Sequence, residues 1–386
     1  MGQGVTPLGR TIVVISDLVE GRTPPDWVVE AEPGPPAPVD TGSLRPALAV
    51  TGGYLERLPL ACVKVGLADR AEIWHHLAPG LPHRYKVEHD LLVRRAFPLD
   101  DARVEGGPPV RSGAMRRHFE RLGAPALLVV LGLGVEAGVL DACAGSTILY
   151  NSIDHPALRM PDDVARRFDL VLTGAPWQSD EVERRVPGMR TAVLPIGPEF
   201  AAVDLFRPLD EPKTHDLIYV AAAQPYKRHD ILFDALAQLP RSVSALCVFG
   251  YGELADAYRE RIAREGLNIE CAGPPGVPFA EVNRLMNRAR IGVVCGRDDG
   301  APAILTEYML AGLPVLANAE LSCGRQYILP ETGALATADG FAQGIVDLLA
   351  RAPAMDPRAE VLARWAWPHS VARLKTLILN NLDQTP

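Results

Sequence analysis

The chain has 386 residues, 48% of them apolar and 6% aromatic, and a formal net charge of −8. That length exceeds one ordinary domain and suits two, with apolar material for two cores. The acidic balance argues against nucleic acid as the main partner, because phosphate backbones select basic faces.

No apolar run reaches the roughly 18 residues of a membrane span, so no stable membrane insertion is expected. The N-terminus lacks the basic flank and apolar core of a signal peptide. The six cysteines, Cys62, Cys143, Cys247, Cys271, Cys295 and Cys323, show no Cys-x-x-Cys spacing. Free thiols in a cytoplasmic protein are expected, with no metal site.

Residues 11–16 (TIVVIS) read as a buried first strand. Residues 21–46 hold seven prolines and read as a loop, neither helix nor central strand. Such a loop inside a compact domain is functional or disordered. Further strands are expected at 61–65, 85–93, 126–131, 147–151, 170–173 and 191–194, with helices at 111–122 and 177–185. The periodicity breaks at 198–208. A second alternating series follows, with strands at 216–221, 245–249, 268–271, 291–295 and 314–317. Its helices are expected at 230–239, 254–264, 278–288 and 304–311.

Strands alternating with helices imply parallel sheets covered on both faces. The expectation is therefore α/β: two Rossmann-like domains at 1–200 and 201–367, with a last helix at about 368–386 packing back on the first. Open parallel sheets bind ligands at the carboxyl ends of their strands, and clefts between domains favour small molecules.

The most informative segment runs from Asp299 through Gly300, Ala301, Pro302, Ala303 and Ile304 to Glu307, and on to Ala317. Two carboxylates stand eight residues apart, separated by a Gly-x-Pro turn and the start of an apolar helix. Helix N-termini offer free N–H groups and a positive dipole end to phosphate. Carboxylates beside them accept hydrogen bonds from sugar or ribose hydroxyls. The plainer readings are a solvent-facing helix acid for Glu307, a turn or cap acid for Asp299 and a solvated lysine for Lys227, and the functional reading is preferred to each. The chain holds only five lysines: Lys64, Lys86, Lys213, Lys227 and Lys375.

Five motifs in order resemble the retaining GT-B glycosyltransferases of family four, the glycosyl transferases group 1. Leu194-Pro195-Ile196-Gly197, with Asp204-Leu205-Phe206-Arg207-Pro208, resembles the family's domain junction. Tyr226-Lys227-Arg228-His229-Asp230 resembles its Lys-(Gly/Arg)-x-(Asp) turn, and Phe249-Gly250-Tyr251-Gly252 its Gly-x-Gly strand end. Asp299 to Ala317 resembles its E-x7-E block, with Asp for the first Glu. Thr332-Gly333-Ala334-Leu335 resembles its following turn.

The resemblance covers 146–349 well and implies the GT-B fold, with two parallel-sheet domains facing a central cleft. It implies that Glu307 binds the ribose hydroxyls of a UDP- or GDP-sugar and that Asp299 lies near the donor sugar. Gly300 to Ile304 would offer backbone N–H groups, Lys227 would steady the diphosphate, and backbone near Gly273 would read the base. The family's Arg before this Lys is replaced by Ala221, Ala222 and Ala223, so Arg228 or Arg297 is expected to substitute. At the strand end 150–156 the family's donor-facing His falls to Asp154 or His155. The glycine pair usual after the first strand is missing from 16–21.

The implied activity is transfer of a sugar, with retention and without a metal or other cofactor, to a small-molecule acceptor, as in natural-product assembly. A homodimer is allowed. The alternatives are a sugar-nucleotide epimerase, a catalytically weak nucleotide-sugar-binding protein and, distantly, an oxidoreductase resting on Gly132, Gly134 and Gly138.

Overall fold

The computed structural model describes residues 8–20, 27–29, 40–101 and 109–382. Two compact units divide the chain. One runs to Ile196 and takes up the chain again at Val371; the other is Gly197–Ser370.

In the first unit, nine strands form one sheet. They are β1 (Thr11–Glu20), β2 (Val28–Val29), β3 (Arg70–Leu77), β4 (Arg84–His89), β5 (Leu92–Pro98), β6 (Leu127–Leu131), β7 (Thr147–Asn151), β8 (Leu170–Thr173) and β9 (Thr191–Val193). Their order is β2-β4-β5-β3-β1-β6-β7-β8-β9. Among the described residues before Ile196 the helices are α1 (Thr41–Leu44), α2 (Tyr54–Lys64), α3 (Gly113–Leu122), α4 (Ala137–Asp141), α5 (Asp162–Ala165) and α6 (Pro176–Arg185).

The sheet is parallel from β5 to β9, but β4 runs antiparallel to β5, and β2 to β4. Residues 85–93, expected as one strand, are therefore a hairpin across Asp90 and Leu91. Residues 61–65, expected as a strand, belong mostly to α2. Leu58, Leu60, Ala61, Cys62 and Val63 are all buried there, and an unbroken apolar run does not tell strand from buried helix.

Strand β3 was not anticipated because its core carries polar groups. Glu72 is fully buried, and its Oε2 accepts from Trp74 Nε1 (2.8 Å) and Arg95 Nε (2.9 Å). Within the proline-rich stretch, Val28–Val29 pairs with β4 and Thr41–Leu44 is helical. Asp40 starts that helix by accepting from the N–H groups of Gly42 and Ser43. Residues 21–26 and 30–39 lie outside the described residues.

The second unit holds β10 (His215–Val220), β11 (Ala245–Val248), β12 (Ile269–Ala272), β13 (Ala289–Val294), β14 (Val315–Asn318) and β15 (Gly333–Ala336). The sheet is wholly parallel, in the order β12-β11-β10-β13-β14-β15. Its helices are α7 (His229–Gln238), α8 (Ala255–Glu265), α9 (Phe279–Asn287), α10 (Ile304–Leu310), α11 (Phe341–Arg351) and α12 (Pro357–Arg364); α13 (Trp367–Leu382) begins here and continues in the first unit.

Alternate side chains of β10 enter opposite cores. Ile218 joins Leu246, Val294, Leu305 and Met309, whereas Leu217 and Tyr219 join Cys247, Ile291 and Val293. Both faces are buried, which is why these strands read as apolar runs. The segment 332–335, expected as a turn, supplies edge strand β15. Gly333 is required there because a Cβ would stand 2.0 Å from the Val315 carbonyl oxygen.

The two ends of the second unit are fastened to each other. Ala201 bridges Ala366, with N–H···O contacts of 3.4 and 3.3 Å to Trp365 and from Trp367. The Ser370 hydroxyl donates to the buried Glu199 carboxylate at 2.5 Å. Among the described residues no helix is long and apolar enough to cross a membrane.

Candidate functional site

In the second unit the strand order reverses at β10, with β11 on one side and β13 on the other. The crevice at the carboxyl ends of β10 and β13 is thus the topological switch point, where open parallel sheets bind ligands. Lys227 sits in the short 3₁₀ turn after β10, and Asp299 in the loop after β13.

The Lys227 ammonium donates to Asp299 Oδ2 and stands 4.8 Å over the Tyr226 ring. The turn is held from below: the buried Tyr219 phenol donates to the Lys227 carbonyl at 2.5 Å. Gly296 lets the turn come close, since a Cβ there would stand 3.2 Å from the Tyr226 carbonyl oxygen. Lys227 and Asp299 side chains are 19% and 14% exposed. Burial works against the ammonium, but the Asp299 carboxylate outweighs it, so the Lys227 pKa is raised. Lys227 is therefore a paired cation, not a solvated surface lysine.

Arg228 occupies a left-handed conformation (φ 51°, ψ 48°) at the start of α7. Its guanidinium is occupied by Asp230, at 3.0, 3.1 and 2.8 Å. Arg297 is 59% exposed and stands 3.8 Å from both Asp298 and Glu320. Each expected substitute for the absent arginine thus has its own carboxylate. His229 is buried in a box of Tyr219, Phe233, Phe249 and Tyr258 rings.

Glu307 lies in the first turn of α10 and is 8% exposed. A solvent-facing helix acid is excluded. A carboxylate is kept this dry only where hydrogen bonds or a ligand offset its desolvation. The preceding turn, Gly300 to Ile304, packs on Gly197. At φ +112°, a Cβ on Gly197 would meet the Ala301 carbonyl at 3.0 Å and the Ala303 Cβ at 3.3 Å. Thr306 Oγ1 donates to the Pro198 carbonyl at 2.8 Å.

The loops after β10, β11 and β12 interlock through backbone. Gly252 (φ +125°) approaches so closely that a Cβ would stand 2.3 Å from the Ala223 carbonyl oxygen. Ala223 N–H in turn donates to Tyr251 O at 2.7 Å. Gly273 (φ +74°) has no room for a Cβ against the Phe249 carbonyl. Gly250 is exposed, with open space beside its Cα.

In the first unit the switch point falls between β1 and β6. Gly132, at φ +56°, lies against Asp17 there, with 2.7 Å between a built Cβ and that of Asp17. Asp154 and His155 follow β7. Asp154 pairs with Arg159 (3.2 Å), and His155 is exposed, its ring 5.1 Å from that of Trp177. The buried Gln178 amide donates to both their carbonyls at 2.9 Å.

A glycine pair does exist in this unit: Gly52 (φ +85°) and Gly53, the cap of α2. Reading 61–65 as a strand hid it. The helical spacing of Leu55, Leu58 and Cys62 behind the pair was the available signal.

Residues 204–364 match the family model of the glycosyl transferases group 1. That stretch contains Lys227, Asp299 and Glu307. Solved structures resemble the whole chain. Sucrose-phosphate synthase from Thermosynechococcus elongatus superposes with a TM-score of 0.67 at 16% identity, covering 97% of this chain and 100% of that one. HepE of Anabaena, in complex with UDP and glucose, gives 0.63 at 15% identity, covering 96% and 100%. The pneumococcal O-GlcNAc transferase GtfA, in complex with UDP and GlcNAc, gives 0.56 at 13% identity over 69% of this chain and 59% of that one. The fold is GT-B. No curated protein matches the chain.

Proposed function

We propose that the chain transfers a sugar from a nucleoside diphosphate sugar to a small-molecule acceptor, with retention of anomeric configuration and without a metal. The observation that carries this reading is the pairing of Lys227 with a loop acid at the second unit's switch point, with the buried Glu307 on the helix after β13. It falls inside the stretch that matches the glycosyl transferases group 1.

Glu307 accepts from the ribose hydroxyls, a task that suits a bidentate, acceptor-only group. Backbone of Gly300 to Ile304 borders the sugar and phosphates, and the Gly250 and Gly273 loops border the base. Lys227 steadies the diphosphate as the glycosidic C–O bond breaks and negative charge gathers on the leaving group. Asp154 and His155 are the first unit's candidates for the donor sugar, their loop fixed by Gln178. No protein nucleophile is assigned: the leaving phosphate helps remove the acceptor's proton on the same face. A natural-product acceptor fits the divergence of the first unit from the family pattern.

Thermal shift and calorimetry with UDP, GDP and ADP test the site, because a bound nucleotide stabilises the fold by mass action. One of them is expected to bind wild type and to bind Glu307→Ala at least tenfold more weakly, as loss of a charged acceptor costs about 1.5–3 kcal/mol. Equal binding by both proteins refutes the role of Glu307. Conversion of a sugar nucleotide without any acceptor would instead identify an epimerase.

A further inference from the structure

We infer that Asp299 is the resident counter-ion of Lys227 and competes with the donor's diphosphate for that ammonium. The inference rests on the proposed nucleotide-sugar site and gives one of its residues a different task. The resemblance expects a glutamate here, reaching towards the donor sugar. The aspartate is one methylene shorter, and its Oδ2 accepts directly from Lys227 Nζ. Its backbone is tied down as well, for the Asp299 carbonyl accepts from the Ser322 hydroxyl at 3.4 Å.

The ammonium is enclosed on two sides, by the Asp299 carboxylate and by the Tyr226 ring at 4.8 Å. Little relief comes from neighbouring cations. Arg228 is held by Asp230 through three contacts, and the loop before the turn offers Ala221, Ala222 and Ala223. A diphosphate arriving at Lys227 therefore meets a charge that is already balanced. It must displace Asp299 or lie beside a like charge, and both weaken binding.

The arrangement has two effects. In the empty site the pair spares the protein an uncompensated, largely buried ammonium. After transfer, the returning carboxylate displaces the nucleoside diphosphate and speeds its departure. Asp299 thus sets how strongly the site discriminates by phosphate charge, through Lys227 and not through the sugar.

Calorimetry with UDP, GDP and ADP on wild type, Asp299→Asn, Lys227→Gln and the double variant tests this. The nucleotide that binds wild type should bind Asp299→Asn about tenfold tighter, a gain of about 1.4 kcal/mol. In the Lys227→Gln background the same change should yield a clearly smaller gain, since only the repulsion between Asp299 and the diphosphate is then relieved. Unchanged or weaker binding by Asp299→Asn overturns the inference. So does an equal gain with and without Lys227. Failure of every nucleotide to bind any of the four proteins overturns the proposed function itself. Asp299→Ser, which removes the charge without an amide beside Lys227, replaces Asp299→Asn if that variant does not fold.

Discussion

Mild acid should unfold the first unit before the second. Burial, with Arg94 and His76 nearby, pushes the pKa of His75 down to about 3. Burial, with Arg95 and Arg121 nearby, does the same to His83 (about 3) and His118 (about 2). In the second unit His229 is lowered to about 3 by burial and by Lys227, against an opposing pull from Asp230. An unfolded histidine titrates near 6.5.

Between that value and the folded one, the unfolded chain binds the extra proton, so stability falls as pH falls. It is fully present above about 6.5. At pH 5 each such histidine has removed about 2 kcal/mol, at most about 6 for these three in the first unit against about 2 for His229 in the second. Six is comparable with the whole stability of an ordinary domain. Urea unfolding at pH 7.5 and pH 5, followed by tryptophan fluorescence, measures this. Trp74 reports on the first unit, its ring 5.0 Å from His118 and stacked 4.3 Å from Phe119. Trp365 and Trp367 report on the second. Equal losses in the two units, or no loss in the first, would refute the reasoning.

Gly292→Ala should lower the melting temperature by an amount equivalent to about 1–3 kcal/mol. The new methyl would stand 2.4 Å from the Tyr308 ring, which cannot retreat while its hydroxyl bonds Val220 N (2.7 Å) and Ile218 O (3.2 Å). A melting point matching wild type would show that Tyr308 moves freely. Tyr219→Phe leaves the Lys227 carbonyl without its phenol; a stability loss of about 1–3 kcal/mol is expected in urea titration, with weaker binding of the cognate nucleotide. Gln178→Ala should destabilise the first unit by a similar margin and lower turnover without changing nucleotide affinity, because it frees the loop carrying Asp154 and His155 and the Gly174 N–H, all in the first unit. Unaltered turnover would remove those two residues from the donor's surroundings.

The second unit was largely legible because every signal agreed. Its inner strands β10, β11, β13 and β14 are largely buried on both faces and read as apolar runs, and helices α7 to α10 begin and end within a few residues of the expected positions. The first unit was less so, for identifiable reasons. Glu72, His75 and His76 interrupt the apolar pattern of β3, because their partners, not their polarity, decide their burial. Pro59 and an unbroken apolar run concealed the start of α2, and with it Gly52 and Gly53. At the site, the resemblance of the motifs to the glycosyl transferases group 1 indicated Lys227, Asp299 and Glu307. It gave no sign that Lys227 and Asp299 bond to each other, or that Arg228 turns to Asp230. Those are facts of side-chain reach, which depend on where β10 and β13 end.

The bridge between Ala201 and Ala366, with Ser370 on Glu199, bears on how the nucleotide-binding half could be produced alone. A fragment cut to 204–364, the limits of the family match, would lose both halves of that clasp. Scission after Ile196 and after Ser370 preserves it, and Gly197–Ser370 is the compact unit that keeps both ends closed.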